Sequence, residues 1–170
     1  MMRPRGFTLT EMLVVLAIVG TLAGIGYPLV RSFIGKSRQA ACLNNLRALG
    51  TGLESYLQDH GQRLPTLAAA RALKTEDVPV LETVLLPYLD SPDAFKCPED
   101  SVIFAKSGSS YAWFTPVNGQ LTSQLAVFAI KDRPDQIPLI HDKESWHPGG
   151  PNLLYADSTS SNKVRFATGN

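Results

Sequence analysis

The chain predicts an α+β fold, one long N-terminal helix packed on a small antiparallel β-sheet. Three observations carry that expectation. Met12 to Val30 contains no charged side chain. From Ser32 to Asp59 apolar residues recur at helical spacing, uninterrupted by proline. Beyond residue 59, most of the 12 prolines and 13 glycines divide the chain into short segments of strand-forming character.

The uncharged run is long enough to cross a bilayer. Its 19 residues, at about 1.5 Å each, span roughly 28 Å, close to the ~30 Å hydrocarbon core. A secretory signal peptide has a shorter apolar stretch followed by a small-x-small cleavage site. Ala23, Gly24 and Gly26 imitate such a site, but the length of the run and the helix-like sequence after it argue for an anchor that is kept. Arg3 and Arg5 precede the span, which places the N-terminus in the cytoplasm and everything after Val30 outside. Arg31, Lys36 and Arg38 pull weakly the other way. Glu11 stands at the lip of the run, where a carboxylate is costly unless something pairs with it. Gly20, Gly24, Gly26 and Pro28 admit two readings. They are residues common in membrane helices, or Gly20 to Pro28 is a place where the helix bends or extends on leaving lipid for an assembly.

The helix is expected to continue past the membrane. Leu43, Leu46, Gly50, Leu53 and Leu57 recur at spacings of 3, 4, 3 and 4, and Cys42, Leu46, Leu49, Leu53 and Tyr56 form an adjacent row. The combined stripe is broader than a coiled-coil seam and suits contact with a sheet. Lys36, Arg38, Asn44, Arg47, Glu54 and Gln58 occupy the other face. Gly61 supplies a stop. One helix of about 50 residues, roughly 80 Å long, then runs from Phe7 to about Asp59.

Residues 60–170 are expected to form a globular head. His60 to Ala70 reads as loop, Leu67 to Leu73 as a short helix, and Val80 to Leu89 as another. Ser110–Thr115, Leu125–Ile130, Ile137–His141, Leu153–Ala156 and Val164–Ala167 are strand candidates separated by proline, glycine, asparagine and aspartate turns. The last two suggest a hairpin with a wide loop over Asp157 to Lys163. One sheet face should cover the helix stripe, and the other should carry loops and aromatics such as Tyr111, Trp113 and Phe128.

Gly6-Phe7-Thr8-Leu9-Thr10-Glu11 followed by the apolar run resembles the N-terminus of type IV pilins and type II secretion pseudopilins. The resemblance covers about the first 25 residues. It implies a pilin-like fold and a leader peptide, residues 1–6, removed between Gly6 and Phe7 by a prepilin peptidase that also methylates Phe7. Residues 7–30 then form the transmembrane and assembly helix, and 31–59 its amphipathic continuation. It further implies that Glu11 pairs with the N-terminal ammonium of a neighbouring subunit, and Pro28 falls where many pilins carry a helix-bending proline. Body motifs resemble the pilin-like proteins of Planctomycetes and Verrucomicrobia. They are Ala41 to Gly50, Phe95-Lys96-Cys97-Pro98-Glu99-Asp100, and His147 to Asp157 ending near Val164-Arg165-Phe166. Those relatives usually have Asp-Gly-Ser-Val after the apolar strand, whereas Asp157 is followed here by Ser158 and a longer turn.

The remaining chemistry is sparse. An external compartment permits a disulfide between Cys42 and Cys97, with about 4 kcal/mol as its upper contribution; the alternative is two small buried thiols. His141, Asp142, His147 and Asp157 match no compact zinc or acid–base motif. His147 and Asp157 are better placed to stabilise turns, Asp157 by accepting backbone N–H bonds. The resemblance to major pseudopilins brings calcium into consideration, with Asp142, Asp157 and backbone carbonyls as weak oxygen candidates. No catalytic framework is evident, so the chain is not expected to be an enzyme. The formal charge of +1 becomes −1 without Arg3 and Arg5, which offers no field for nucleic acid. The leading expectation is a structural subunit of a filament rooted in the inner membrane, with the head periplasmic or on an extracellular filament. Its partners would be further copies, minor pseudopilins, the prepilin peptidase, and the inner-membrane assembly platform with its ATPase. The alternatives are a minor, tip or DNA-uptake pilin with a ligand-binding head, and a membrane-anchored protein outside any filament.

Overall fold

The computed structural model describes residues 8–165. The chain divides into two compact units, one ending at Ser37 and the other beginning at Arg38. Helix α1 (Leu9–Asp59) runs through Gly20 and position 28 as helix. It ends where the sequence places the stop. Gly61 has φ +60°, and the Gln62 N–H bonds the Leu57 carbonyl at 2.8 Å, the six-to-one bond of a left-handed helix end. His60 stacks on Tyr56 with ring centroids 3.8 Å apart.

In the second unit the apolar stripe of α1 is the centre of the core. Cys42, Leu46, Leu49, Leu53 and Leu57 are buried, while Arg38, Asn44, Arg47, Glu54 and Gln58 face outward, and Lys36 of the first unit is exposed too. Leu43 and Tyr56 are half-buried flanks. Against the stripe lies a four-stranded antiparallel sheet of order β1-β4-β5-β6, comprising β1 (Tyr111–Trp113), β4 (Pro138–Asp142), β5 (Leu153–Tyr155) and β6 (Ser160–Ser161). The small residues of α1 allow close approach. A Cβ on Gly50 would meet the Leu154 side chain of β5 at 3.3 Å, and one on Gly52 would meet Leu89 at 2.9 Å. Pro138 opens the inner strand β4 at a register shift between Pro138 and Ile140, where its missing N–H interrupts the least pairing. A separate two-stranded ribbon joins β2 (Ala126–Val127) to β3 (Ile130–Lys131).

Several expected elements come out differently. Leu125–Ile130 is two strands with a reversal between them, and Phe128 at its tip has φ +52°. The segment Leu67–Leu73 is not helical, because its backbone groups are claimed from afar. The Ala68 N–H bonds Pro79 O, and the Trp113 N–H bonds Ala69 O. The last hairpin is tight, not wide: β5 turns straight into β6, and Ser160–Ser161 replaces the expected strand at Val164–Ala167. Of that expected strand, Val164 and Arg165 are non-strand and the remainder lies outside the described residues. The Tyr155 hydroxyl donates to Lys163 O at 2.8 Å and accepts from the Arg165 N–H at 3.0 Å, drawing the chain over β5. Val80–Leu89 is α2 (Leu81–Leu85) continued by a 3₁₀ turn over Leu86–Tyr88.

Helix α3 (Ile103–Ser107) was not expected. The Asp100 carboxylate builds it by accepting the N–H groups of Val102, Ile103 and Phe104 at 2.7–2.9 Å. Asp100 Oδ2 also takes the Ser110 hydroxyl at 2.6 Å, and Ser110 Oγ in turn accepts the Cys97 N–H. Burial works to raise the Asp100 pKa, but the bonds from Ser110 and the three N–H groups outweigh it and hold the carboxyl below its ordinary value.

Candidate assembly site

In the N-terminal unit, Thr8 and Glu11 start α1 together. The Thr8 N–H and hydroxyl both donate to Glu11 Oε2, at 2.8 and 2.7 Å, and the Glu11 N–H donates to Thr8 Oγ1 at 3.3 Å. This is a reciprocal capping box, and Thr-x-x-Glu is its sequence signature. The same four residues carry that signature in the sequence, so Glu11 has a partner within its own helix besides any from outside. The carboxylate also favours the positive end of the helix dipole. Gly6 and Phe7, the expected cleavage and methylation positions, lie outside the described residues.

Below the cap, apolar side chains point out on every side. Leu13, Leu16, Ile18, Leu22 and Ile25 are all exposed, and the most apolar window of the helix has none of its residues buried. The stretch is long and apolar enough to cross a membrane. Thr21, the polar interruption, turns its hydroxyl back onto the Ala17 and Ile18 carbonyls at 3.0 and 2.9 Å and so is satisfied within the helix. Nothing lies within 4 Å of a Cβ placed on Gly20, Gly24 or Gly26. Gly20 and Gly24, four apart, leave a shallow place on one face where a second helix can approach closely.

In the head, Cys42 and Cys97 form a disulfide. It is one of several ties between α1 and residues 95–100. Asn45 Nδ2 donates to Lys96 O at 2.7 Å, the Tyr111 hydroxyl to Cys42 O at 3.4 Å, and Arg38 pairs with Glu99 at 3.2 Å. The His147 carbonyl accepts the Gly150 N–H in the turn. Its side chain does something the sequence did not signal: Nε2 lies 3.2 Å from Cys97 Sγ in the buried core.

The other polar candidates do not converge. His141 Nδ1 contacts the Asp142 carbonyl at 2.8 Å. Asp142 is buried, and its Oδ2 accepts the backbone and side-chain N–H groups of Asn152 at 2.8 and 2.9 Å. Burial pushes Asp142 up to about 6 against the pull of those bonds. Asp157 accepts the Thr159 N–H at 3.0 Å and pairs with Arg165 at 3.5 Å. Among the described residues the single trio of His, Cys or acidic side chains close enough to share an ion is Cys42, Cys97 and His147, not a set containing Asp142 or Asp157. A hollow of about 220 Å³ beside α1 is lined by Leu53, Leu57, Leu139, Leu154 and Glu54, and the Glu54 carboxylate is occupied by the Ser158 hydroxyl.

Residues 1–27 match the family model described as the prokaryotic N-terminal methylation motif. The chain is 42% identical over 57 residues to the type IV major pilin protein PilA of Myxococcus xanthus, covering 34% of this chain and 26% of that protein. It is 33% identical over 79 residues to fimbrial protein Q of Moraxella bovis, covering 46% and 49%. It thus spans half or less of the length of these pilins. The type II secretion system core protein G of Klebsiella pneumoniae is 30% identical over 142 residues, 84% of this chain and 93% of that protein. No solved structure matches.

Proposed function

The chain belongs to the type IV pilin and type II secretion pseudopilin family, and from that premise we propose that it is a structural subunit of a helical filament rooted in the inner membrane, either a secretion pseudopilus or a related pilus. The observation that carries the reading is the N-terminal unit, a capped helix whose apolar side chains are uncovered on every side. Such a surface needs lipid or like helices around it. In this reading residues 1–6 are a leader that a prepilin peptidase removes between Gly6 and Phe7, with methylation of Phe7. The N-terminus is cytoplasmic before the cut, residues 7–30 span the membrane, and the head lies in the periplasm. The assembly platform and its ATPase draw the subunit from lipid into a filament of further copies and minor pseudopilins. Gly20 and Pro28 are the places where α1 accommodates that transfer.

Glu11 sets the register. Its carboxylate meets the ammonium of Phe7 on an adjacent copy, so that two charges leave water together and neither is buried alone. The family is one of structural subunits, and this reading gives the chain no catalytic role. The test is Glu11→Ala. The variant should reach the membrane at normal abundance, while sheared-fibre yield falls about tenfold or more, since removing one partner of a desolvated pair costs about 3 kcal/mol. Normal fibre yield would sink the proposal.

A further inference from the structure

Cys42, Cys97 and His147 bring two sulfurs and an imidazole nitrogen within 4.8 Å of one another inside the head. All three residues are buried, Cys42 and Cys97 fully. A disulfide does not need a histidine beside it, and this one sits with Nε2 3.2 Å from Cys97 Sγ. We propose that the head has a second, reduced state in which Cys42, Cys97 and His147 hold a thiophilic metal ion of the zinc class in place of the Cys42–Cys97 bond.

The geometry needs little change. Zinc takes thiolate at about 2.3 Å and imidazole at about 2.0 Å in a tetrahedron, which sets the sulfurs about 3.7 Å apart and each sulfur about 3.5 Å from the nitrogen. The nitrogen already lies near that distance from Cys97 Sγ. The two sulfurs must separate, and cleavage of their bond releases them to do so, while the imidazole nitrogen lies within 4.8 Å of both. The Cα atoms, 5.1 Å apart, keep both thiols within reach of one ion. Three protein ligands leave one position of the tetrahedron for a further ligand.

A dithiol reductant opens the disulfide by exchange and becomes a disulfide itself. Two electrons pass to the protein sulfurs, and two protons complete the thiols. The metal then displaces both thiol protons to solvent, and His147 Nε2 donates its lone pair from the Nδ1–H tautomer with no proton lost. In a head not yet oxidised, the ion would tie α1 to the segment before α3 where the covalent bond otherwise does.

The experiment uses the full chain in detergent micelles, reduced anaerobically with a phosphine, desalted and titrated with Co(II) as an optical probe. One equivalent should bind with thiolate-to-cobalt absorption, zinc should displace it, and oxidised protein should stay silent. His147→Gln should weaken binding by more than about 100-fold. X-ray absorption of the zinc-loaded reduced wild type should read two sulfurs and an imidazole nitrogen, a measurement independent of any variant. Zinc should also raise the melting temperature of the reduced head. Absence of cobalt uptake by the reduced wild type, a sulfur-only coordination shell, or an unmoved melting temperature would each overturn the proposal.

Discussion

Leu13, Leu16 and Leu22 are 61%, 70% and 66% exposed, whereas Leu46, Leu49 and Leu53, further along the same helix, are at most 2% exposed. The residue type and the backbone conformation are shared, and the covering differs. In the head the sheet residues Tyr111, Trp113, Ile140 and Leu154 close over the stripe, and each buried leucine contributes about 1.5–3 kcal/mol. In the N-terminal unit no part of the chain supplies that cover among the described residues. The contrast teaches that the head's stability is written within one chain, while the favourable environment of residues 9–37 belongs to whatever surrounds it.

That separation can be attacked from the head side first. Trp113 is fully buried, and its indole N–H donates to Asn118 Oδ1 at 2.6 Å. Trp113→Ala should cost the head about 3–5 kcal/mol in denaturant unfolding and leave membrane partitioning unchanged. A matching loss of partitioning would break the comparison. Reduction of the Cys42–Cys97 bond, with metal excluded, should cost up to about 4 kcal/mol in the same assay.

A smaller effect, of opposite sign, is expected at Asp142. Its folded pKa of about 6 stands above the ordinary 3.8, so the ionised carboxyl costs stability above pH 6, and the cost fades as pH falls through 6 toward 4. Asp142→Asn should therefore stabilise the head by on the order of 2 kcal/mol at pH 8 and hardly at all at pH 4. Asp100 works the other way. Its lowered pKa supplies stability above the ordinary carboxylate range, and that contribution is lost as pH falls through the folded value. The smallest expected effect sharpens the contrast from the other end. Leu16→Ser should shift the head's unfolding free energy by less than about 0.5 kcal/mol while weakening retention in vesicles.

What could be read from the residues follows the range of the forces involved. Helix α1 was legible through to its C-terminal end because its periodicity and its Gly61 stop are local signals, while its expected start at Phe7 lies outside the described residues. The strands Tyr111–Trp113 and Leu153–Tyr155 fell within their expected segments, and Pro138–Asp142 overran Ile137–His141 by one residue, because β-branched, aromatic and leucine runs mark them. Ser160–Ser161 carries no such mark; it is a strand only because Leu153 and Leu154 stand opposite it. Leu67–Leu73 failed for the same reason in reverse. Arg71 is held by Glu82 at 2.8 Å and by the Ser107 carbonyl at 2.9 Å, partners that helical spacing does not reveal. At the candidate assembly site one relationship was not legible. Thr8 was read as part of a motif rather than as the donor to Glu11. The place of His147 beside the disulfide depends on a fold that brings residues 42, 97 and 147 together, and nothing near any of the three announces it.

Both bonds from Thr8 land on the same oxygen of Glu11, Oε2. The carboxylate is therefore a divided group: one oxygen is committed to its own helix, and the other is available to a cation from elsewhere. A glutamine would keep the commitment and lose the charge. An aspartate would keep the charge and shorten the reach by one methylene. In the proposed filament, glutamate would let one residue act at once as the first brick of its own helix and the mortar to the next.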